Sequence, residues 1–173
     1  TNTVTVTASG EGAVTIAFAG SVADPAGNTK TTAGGTDRSV TFDSVAPTLT
    51  LQQAAGQADP AKNATITFSF SASETLDADT VTAGDFEVAN ATDITVTGSG
   101  STYTVTATAT GEGDVTVAFT GSVADPAGNA QTTAGGTDRT VTYDSIAPTL
   151  TLEQAAGQAD PAKNAAIAFT FSA

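Results

Sequence analysis

The residues that could do chemistry in this chain are oxygen-bearing side chains in three separate segments. They are Asp43 in Asp-Ser-Val-Ala-Pro, Glu74 and Asp77 in Ser-Glu-Thr-Leu-Asp, and Asp125 and Asn129 in Asp-Pro-Ala-Gly-Asn. The sequence has no Cys and no His, which removes thiolate zinc sites and the commonest general base. Carboxylate and carbonyl oxygens are the ligands that Ca²⁺ prefers. These residues are therefore candidate calcium ligands, and the alternative is that Asp125 only caps the backbone of a Pro-Gly turn.

A catalytic role for the acidic residues is the competing hypothesis. Carboxylates about 5–10 Å apart can serve as acid and base or nucleophile in glycoside hydrolysis, and Asp77 with Asp79 is the pair that such a site would use. The chain has no Trp, so an aromatic platform for a sugar is absent. Nucleophilic catalysis lacks His, Cys and a Ser in a nucleophile-elbow setting. We expect no enzyme, with a carbohydrate-active accessory domain as a remote alternative.

The charge balance narrows the range of partners. The chain carries 18 acidic and 5 basic residues, for a net charge of -13. Nucleic acid phosphates and anionic membrane surfaces need clustered Lys and Arg, and they repel such a chain. We expect no nucleic acid partner and no direct membrane insertion.

The sequence repeats itself. A shift of 101 positions superimposes residues 1–72 on residues 102–173 with 57 identities in 72 positions. This period matches one small domain, such as an immunoglobulin-like sandwich of roughly 100 residues.

The run Asp-Ser-Val-Ala-Pro recurs as Asp-Ser-Ile-Ala-Pro and brackets one complete unit. We predict the C-terminal part of one repeat in residues 1–46, a complete repeat in 47–147 and the N-terminal part of the next in 148–173. The absence of Met indicates a segment from the middle of a longer polypeptide.

Apolar and small polar residues alternate along the complete unit, which is the period of strands with one buried and one exposed face. The pattern predicts an all-β fold of tandem immunoglobulin-like β-sandwiches with about seven strands per repeat. The predicted strands cover residues 48–53, 65–72, 86–89, 93–97, 102–109, 114–120 and 139–143. Short hairpin turns are predicted at Gly98-Ser99-Gly100 and at Gly111-Glu112-Gly113. The long loops 73–85 and 121–138 carry the acidic residues of interest.

The same alternation predicts a hydrophobic core. Its predicted members are Leu49, Leu51, Ile66, Phe68, Phe70, Phe86, Val88, Ile94, Val96, Tyr103, Val105, Val115, Val117, Phe119, Val141 and Tyr143. Burial of each such side chain contributes roughly 1.5–3 kcal/mol, so a core without disulfides can offset the ordering entropy of a domain this size.

The predicted topology gathers the acidic loops. In an immunoglobulin-like sandwich, the loop after the second strand, the loop after the sixth and the chain that leads into the first strand lie at one end. This arrangement would bring Asp43 to Glu74, Asp77 and Asp125. A cation shared by the linker and the loops of the next domain would stiffen the joint between two domains.

The motifs Ala-Pro-Thr-Leu-Thr-Leu, Ser-Glu-Thr-Leu, Asp-Pro-Ala-Gly-Asn and Asp-Ser-x-Ala-Pro together resemble those of bacterial Ig-like repeat domains, and the resemblance covers the whole chain. Such repeats occur in tandem in large surface adhesins and extracellular fibres, chiefly as spacers, and commonly carry calcium near the linker. The resemblance implies an extracellular, bacterial cell-surface location, with neighbouring repeats as partners. The ligand positions that it implies are Asp43, Glu74, Asp125 and Asn129, with Asp24, Asn28 and Asp144 in the partial units.

An adhesive or self-assembling module is the alternative function from a different class. The partial units hold strands five to seven of one repeat and strands one and two of another. In this alternative, neighbouring chains exchange strands and associate laterally or end to end into a fibre. Near-identity of the copies favours the spacer, because a spacer can be duplicated without loss of its mechanical role.

Overall fold

The computed structural model describes residues 2–173, and strands make up 42% of the chain against 3% for helix. This confirms the predicted all-β class.

In chain order the strands are β1 (Gly12–Thr15), β2 (Val22–Ala23), β3 (Thr29–Lys30), β4 (Ser39–Phe42), β5 (Leu49–Gln53), β6 (Thr65–Ala72), β7 (Phe86–Ala89), β8 (Ala91–Ser99), β9 (Thr102–Ala109), β10 (Gly113–Phe119), β11 (Val123–Ala124), β12 (Ala130–Gln131), β13 (Ala134–Gly135), β14 (Thr140–Tyr143), β15 (Thr151–Gln154) and β16 (Phe169–Ser172). Two short 3-10 helices, Ala78–Thr80 and Ala83–Asp85, lie between β6 and β7.

Residues 47–147, here called the central unit, contain the two largest sheets. One has five strands in the order β13-β5-β6-β9-β8, and the other has three in the order β14-β10-β7. Neighbouring strands are antiparallel except for β13, which pairs in parallel with β5. A second parallel contact joins Ala61 to Tyr143. Strands from the start and the end of the central unit therefore lie side by side.

The two sheets pack face to face on one core, an arrangement consistent with a β-sandwich. Phe70 of β6 contacts Phe86 of β7 edge to face, with ring centroids 5.1 Å apart. The same ring stacks on Phe119 of β10 at 5.3 Å. Burial alternates along β9 and β10 because every second side chain faces this core. Every buried residue of the described chain lies between Pro47 and Val141.

All seven predicted strands are present, with ends that differ by at most two residues. The predicted core members are buried, except for four that are half-buried against the core: Val88, Ile94, Val96 and Tyr143. Ala61, Leu76 and Val81 from loops and Val123 from β11 also belong to the core. The estimate of about seven strands is low, because the predicted loop 121–138 also forms β11, β12 and β13, each two residues long.

One predicted hairpin is wrong. The segment Gly111-Glu112-Gly113 connects β9 in the five-stranded sheet to β10 in the three-stranded sheet, so it crosses between layers. The other predicted hairpin is present, but its turn residues are 100–101 rather than 98–100. Apolar alternation alone does not distinguish a turn within a sheet from a connection between sheets.

The flanking segments, residues 2–46 and 148–173, repeat the local pairing of the central unit. Strand β1 pairs with β4 in the same register as β10 with β14, shifted by 101 positions. The pairs β2–β3 and β15–β16 likewise repeat the registers of β11–β12 and β5–β6. Each flanking pair is only a two-stranded sheet.

The search for transmembrane helices found none among residues 2–173 with enough length and apolar character to span a bilayer.

Candidate metal centre

The loop that follows β11 holds one buried carboxylate. Asp125 is 1% exposed. Its Oδ1 accepts hydrogen bonds from the backbone N–H groups of Ala127 at 2.8 Å and Asn129 at 2.9 Å. Its Oδ2 accepts one from Asn129 Nδ2 at 2.8 Å. Gly128 completes the turn at a φ of 92°, in the left-handed region that glycine adopts without strain. Asp125 therefore caps the backbone of its own turn, as the turn interpretation of this motif predicts.

These hydrogen bonds determine the ionisation of Asp125. Burial by itself would raise the pKa of this carboxyl group. The hydrogen bonds from Asn129, Ala127 and Gly128 outweigh burial and hold the pKa below its ordinary value of 3.8. Asp125 is consequently an ionised carboxylate at neutral pH, although it is shielded from solvent.

The segment before β5 brings a second carboxylate to this loop. Asp43 Oδ1 accepts a hydrogen bond from the N–H of Val45 at 3.1 Å. The carbonyl oxygen of Asp43 accepts one from Asn129 Nδ2 at 3.2 Å. Four residues later, the carbonyl of Pro47 accepts a hydrogen bond from Gln131 Nε2 at 3.2 Å. The linker is thus fixed to the β11–β12 loop by two side-chain amides.

The third carboxylate, Glu74, lies two residues after the end of β6. Its neighbour Ser73 fixes the chain here, since Ser73 Oγ accepts from the N–H of Thr48 at 3.0 Å and the Ser73 N–H donates to the Thr48 carbonyl at 2.9 Å. Carboxylate oxygens of Asp43, Glu74 and Asp125 all lie within 4.8 Å of one another. Burial, and then the negative charges of Asp43 and Asp125, raise the pKa of Glu74 above its ordinary value of 4.5.

The three carboxylates repel each other, and the raised pKa of Glu74 reflects this repulsion together with burial. The two arginines of the chain donate to backbone carbonyls elsewhere, Arg38 to Ala33 and Gly35, and Arg139 to Ala134 and Gly135. A hard divalent cation relieves such repulsion, because it takes carboxylate and carbonyl oxygens as ligands. The donor set therefore fits Ca²⁺, with additional oxygens from backbone carbonyls and water.

Of the other predicted ligands, Asn129 donates its side-chain amide to Asp125 and to the Asp43 carbonyl. The remaining four lie outside this cluster. Asp77 caps the first 3-10 helix, since its carboxylate accepts from the N–H of Asp79 at 3.1 Å and its own N–H donates to the Ala124 carbonyl at 2.8 Å. Asp144 accepts from the N–H of Ile146 at 3.0 Å. Asp24 and Asn28 form the same capped loop as Asp125 and Asn129 but are exposed. Among residues 2–173, Asp43, Glu74 and Asp125 form the one cluster of three possible metal-binding side chains.

One contact at the end of the central unit was not predicted. Glu112, in the connection between the two sheets, accepts hydrogen bonds from both the N–H and the Oγ of Ser145, at 3.0 and 2.6 Å. Glu11 makes the same two bonds with Ser44. The sequence contains both pairs, since Glu112 and Ser145 recur 101 positions earlier as Glu11 and Ser44. Each Glu is far from its Ser along the chain, so the sequence pattern did not indicate the contact.

Comparison of the chain with protein-family models, with curated proteins and with solved structures gave no match.

Proposed function

We propose that this chain is a segment of tandem immunoglobulin-like repeats that serves as a spacer in an extracellular protein of the bacterial surface, with Ca²⁺ at the joint between repeats. The observation that carries the proposal is the carboxylate cluster. Asp43 comes from the linker, whereas Glu74 and Asp125 come from two loops of the central unit. A cation held there ties the linker to the domain that follows it.

The distribution of burial supports the proposed division into repeats. All buried residues among residues 2–173 fall within 47–141. We therefore assign residues 1–46 to one repeat, 47–147 to the next and 148–173 to a third. The partners of each repeat are its neighbours in the same chain.

The hydrogen bonds around the linker support a stiff joint. On one side, Glu11 holds the backbone and hydroxyl of Ser44. On the other side, Asn129 holds the carbonyl of Asp43. Adjacent linker residues are thus fixed to different repeats, and calcium adds a charge-based link at the same point. A short linker held from both sides transmits orientation from one repeat to the next, which is the mechanical property that a spacer needs.

Calcium-dependent thermal unfolding tests the proposal, measured on the full 173-residue chain in millimolar Ca²⁺ and in EDTA. A ligand that binds only the folded state stabilises by RT ln(1 + [L]/Kd), about 2.7 kcal/mol at a hundredfold excess over Kd. We expect Ca²⁺ to raise the Tm of the central unit, and we expect Glu74→Gln to abolish that rise. Glu74→Gln should also raise the Tm in EDTA, because it removes one of three mutually repelling charges.

Asp144→Asn is the matched control. Asp144 occupies the position equivalent to Asp43 and makes the equivalent backbone bond, yet it lies outside the carboxylate cluster. This variant should keep the full calcium response, whereas Asp43→Asn should lose it. Equal Tm values in Ca²⁺ and EDTA for the unmodified chain would refute the calcium joint.

A further inference from the structure

Most sheet edges of the central unit are short or covered. Strand β13 is two residues long, and β7 is four residues long and carries Glu87. The edge of β14 is covered, because the Thr142 N–H donates to Asp59 Oδ1 at 2.9 Å and the Thr142 carbonyl accepts from the Ala61 N–H at 2.8 Å. Short, charged or covered edges resist pairing with another chain.

Strand β8 is the edge without these protections. It covers nine residues, Ala91–Ser99, and pairs only with β9. An irregularity at Asp93 and Ile94 interrupts that pairing, which then continues without a break over residues 95–99. Among residues 2–173, no loop or side chain bonds to the backbone of this regular segment from the open side.

The pairing pattern identifies the free backbone groups of β8. The Ala72 N–H donates to the Ser101 carbonyl at 2.9 Å, which determines the alternation of hydrogen bonds on the two sides of β9. Thr102 and every second residue after it therefore bond to β8 rather than to β6. Their partners on β8 are the odd-numbered residues. The N–H and carbonyl groups of Val96 and Gly98 consequently point to the open edge.

Charge distribution favours a second copy of this chain as the partner of that edge. Asp93 is the only charged residue in the five strands of this sheet, although the chain has 18 acidic and 5 basic residues. It lies outside the regular segment, whose exposed side chains are Thr95, Thr97 and Ser99. Two acidic copies repel each other least where neither carries charge. A basic partner would instead be attracted to the acidic loops.

We infer that β8 of one copy pairs with β8 of a second copy, antiparallel and about a two-fold axis. Thr97 lies opposite Thr97 of the second copy, and Val96 exchanges N–H and carbonyl bonds with Gly98 of that copy. This register uses every free backbone group of Val96 and Gly98. It also separates Asp93 from its copy by roughly 27 Å along the strands. The two five-stranded sheets become one continuous sheet.

The contact closes on two copies, because the same surface is used by both. It is a small contact, so we expect weak, reversible pairing that becomes stronger where many copies lie side by side. No residue of β8 belongs to the carboxylate cluster. The inference therefore does not rest on the calcium joint, and its test is run in EDTA.

Disulfide trapping tests the pairing, because the chain has no Cys and each introduced thiol reports a single position. Oxidised glutathione serves as the oxidant, and electrophoresis without reductant measures a covalent dimer of twice 16.9 kDa. In the proposed register the two Thr97 Cα atoms are about 4.5 Å apart, within the range of a disulfide. We expect Thr97→Cys to give the covalent dimer as its main product.

Matched variants test the register. Thr95→Cys alone and Ser99→Cys alone should stay monomeric, because each position lies roughly 14 Å from its copy. An equimolar mixture of these two variants should give a covalent heterodimer, since Thr95 lies opposite Ser99 of the second copy. Thr104→Cys, at an exposed position on the inner strand β9, should stay monomeric and measures random collision. An unchanged thermal transition of each reduced variant verifies folding.

Cross-linking of Thr97→Cys that is no faster than that of Thr104→Cys would overturn the inference. A dimer from Thr95→Cys or Ser99→Cys alone would rule out the two-fold register, and so would a mixture of the two that stays monomeric.

Discussion

Val22 and Val123 occupy identical eight-residue sequences, Ser-Val-Ala-Asp-Pro-Ala-Gly-Asn, yet Val22 is 58% exposed and Val123 is fully buried. The hydrogen bonds within the two Asp-Pro-Ala-Gly-Asn loops that follow these residues are the same. Asp24 caps its loop through the N–H groups of Ala26 and Asn28, as Asp125 does through those of Ala127 and Asn129. Identical local sequence therefore gives identical local backbone in both regions, but a different environment.

The difference separates structure that forms from local sequence alone from structure that needs the complete unit. Turns, caps and two-stranded pairs need only residues close in sequence or in one hairpin, so they form in the flanking segments as well as in the central unit. Burial needs both halves of the core, which only the central unit has within one chain. The carboxylate cluster of Asp43, Glu74 and Asp125 also needs the complete unit, because Asp24 has the loop of Asp125 without a Glu beside it.

The largest expected effect is the loss of stability when a buried Phe is removed, compared with removal of an exposed Phe at the equivalent position. Phe70→Ala removes a fully buried ring that contacts Phe86, Phe119 and Tyr103, and we expect it to destabilise the central unit by about 3–5 kcal/mol. Phe171→Ala, at 67% exposure, should change the stability of the central unit by less than about 0.5 kcal/mol. Urea unfolding in dilute solution measures both. Equal losses would mean that β16 belongs to the cooperative core.

The next contrast is between the two capped loops. Asp125→Ala leaves three part-buried donors without their acceptor, whereas Asp24→Ala leaves the equivalent donors exposed to water. In EDTA we expect the Tm of the central unit to fall on the order of 10 °C for Asp125→Ala. We expect no measurable change for Asp24→Ala. Calorimetry gives both values, and a comparable fall for Asp24→Ala would show that burial does not decide the effect.

Glu74 lies in the part of the central unit that has no copy in the flanking segments. It should therefore make the stability of the central unit depend on pH. Its pKa is raised in the folded chain by burial and by Asp43 and Asp125, so protonation favours folding. Its contribution to stability is fully present below the ordinary pKa of 4.5 and is lost as pH rises through the folded value.

Glu74→Gln should accordingly be more stable than the unmodified chain at pH 7 in EDTA, and this advantage should disappear as the pH falls below about 4.5. Thermal unfolding across this pH range measures the difference. Glu87→Gln, at an exposed position on β7, should show no such trend. An advantage of Glu74→Gln that persisted at low pH would contradict charge repulsion as its cause.

The smallest expected effect is one that the two regions share. Glu112 and Glu11 make the same bonds to Ser145 and Ser44, and all four residues are exposed. Glu112→Ala and Glu11→Ala should therefore increase amide hydrogen exchange at Ser145 and Ser44 by similar factors, with little change in global stability. A much larger factor at one site would show that the local contact depends on the surrounding core.

Much of the fold was predictable from period-two alternation. It located all seven longer strands of the central unit, because apolar and small polar residues alternate along most of their length. It missed β13, since Ala134 and Gly135 have little apolar character and pair with β5 only through backbone groups. It also missed Leu76 and Val81 as core members, because isolated apolar residues in a loop form no periodic pattern.

The candidate site was predictable in part for a similar reason. The approach of Asp43, Glu74 and Asp125 followed from the order of strands and loops. The position of Asp77 did not, because Asp77 lies three positions after Glu74 in a loop whose path depends on a 3-10 helix. The raised pKa of Glu74 was equally beyond sequence reasoning, since it depends on distances between side chains that are far apart along the chain.

The parallel contacts between the start and the end of the central unit determine how it responds to stretching. Force applied at its two ends pulls β5 and β13 in opposite directions along their length, and it does the same to Ala61 and Tyr143. The bonds from Gln53 N–H to the Asp138 carbonyl, from Ala61 N–H to the Thr142 carbonyl and from Asp144 N–H to the Ala61 carbonyl then bear the load together in shear. Bonds loaded this way fail as a group, whereas a hairpin pulled at its open end loses them one at a time.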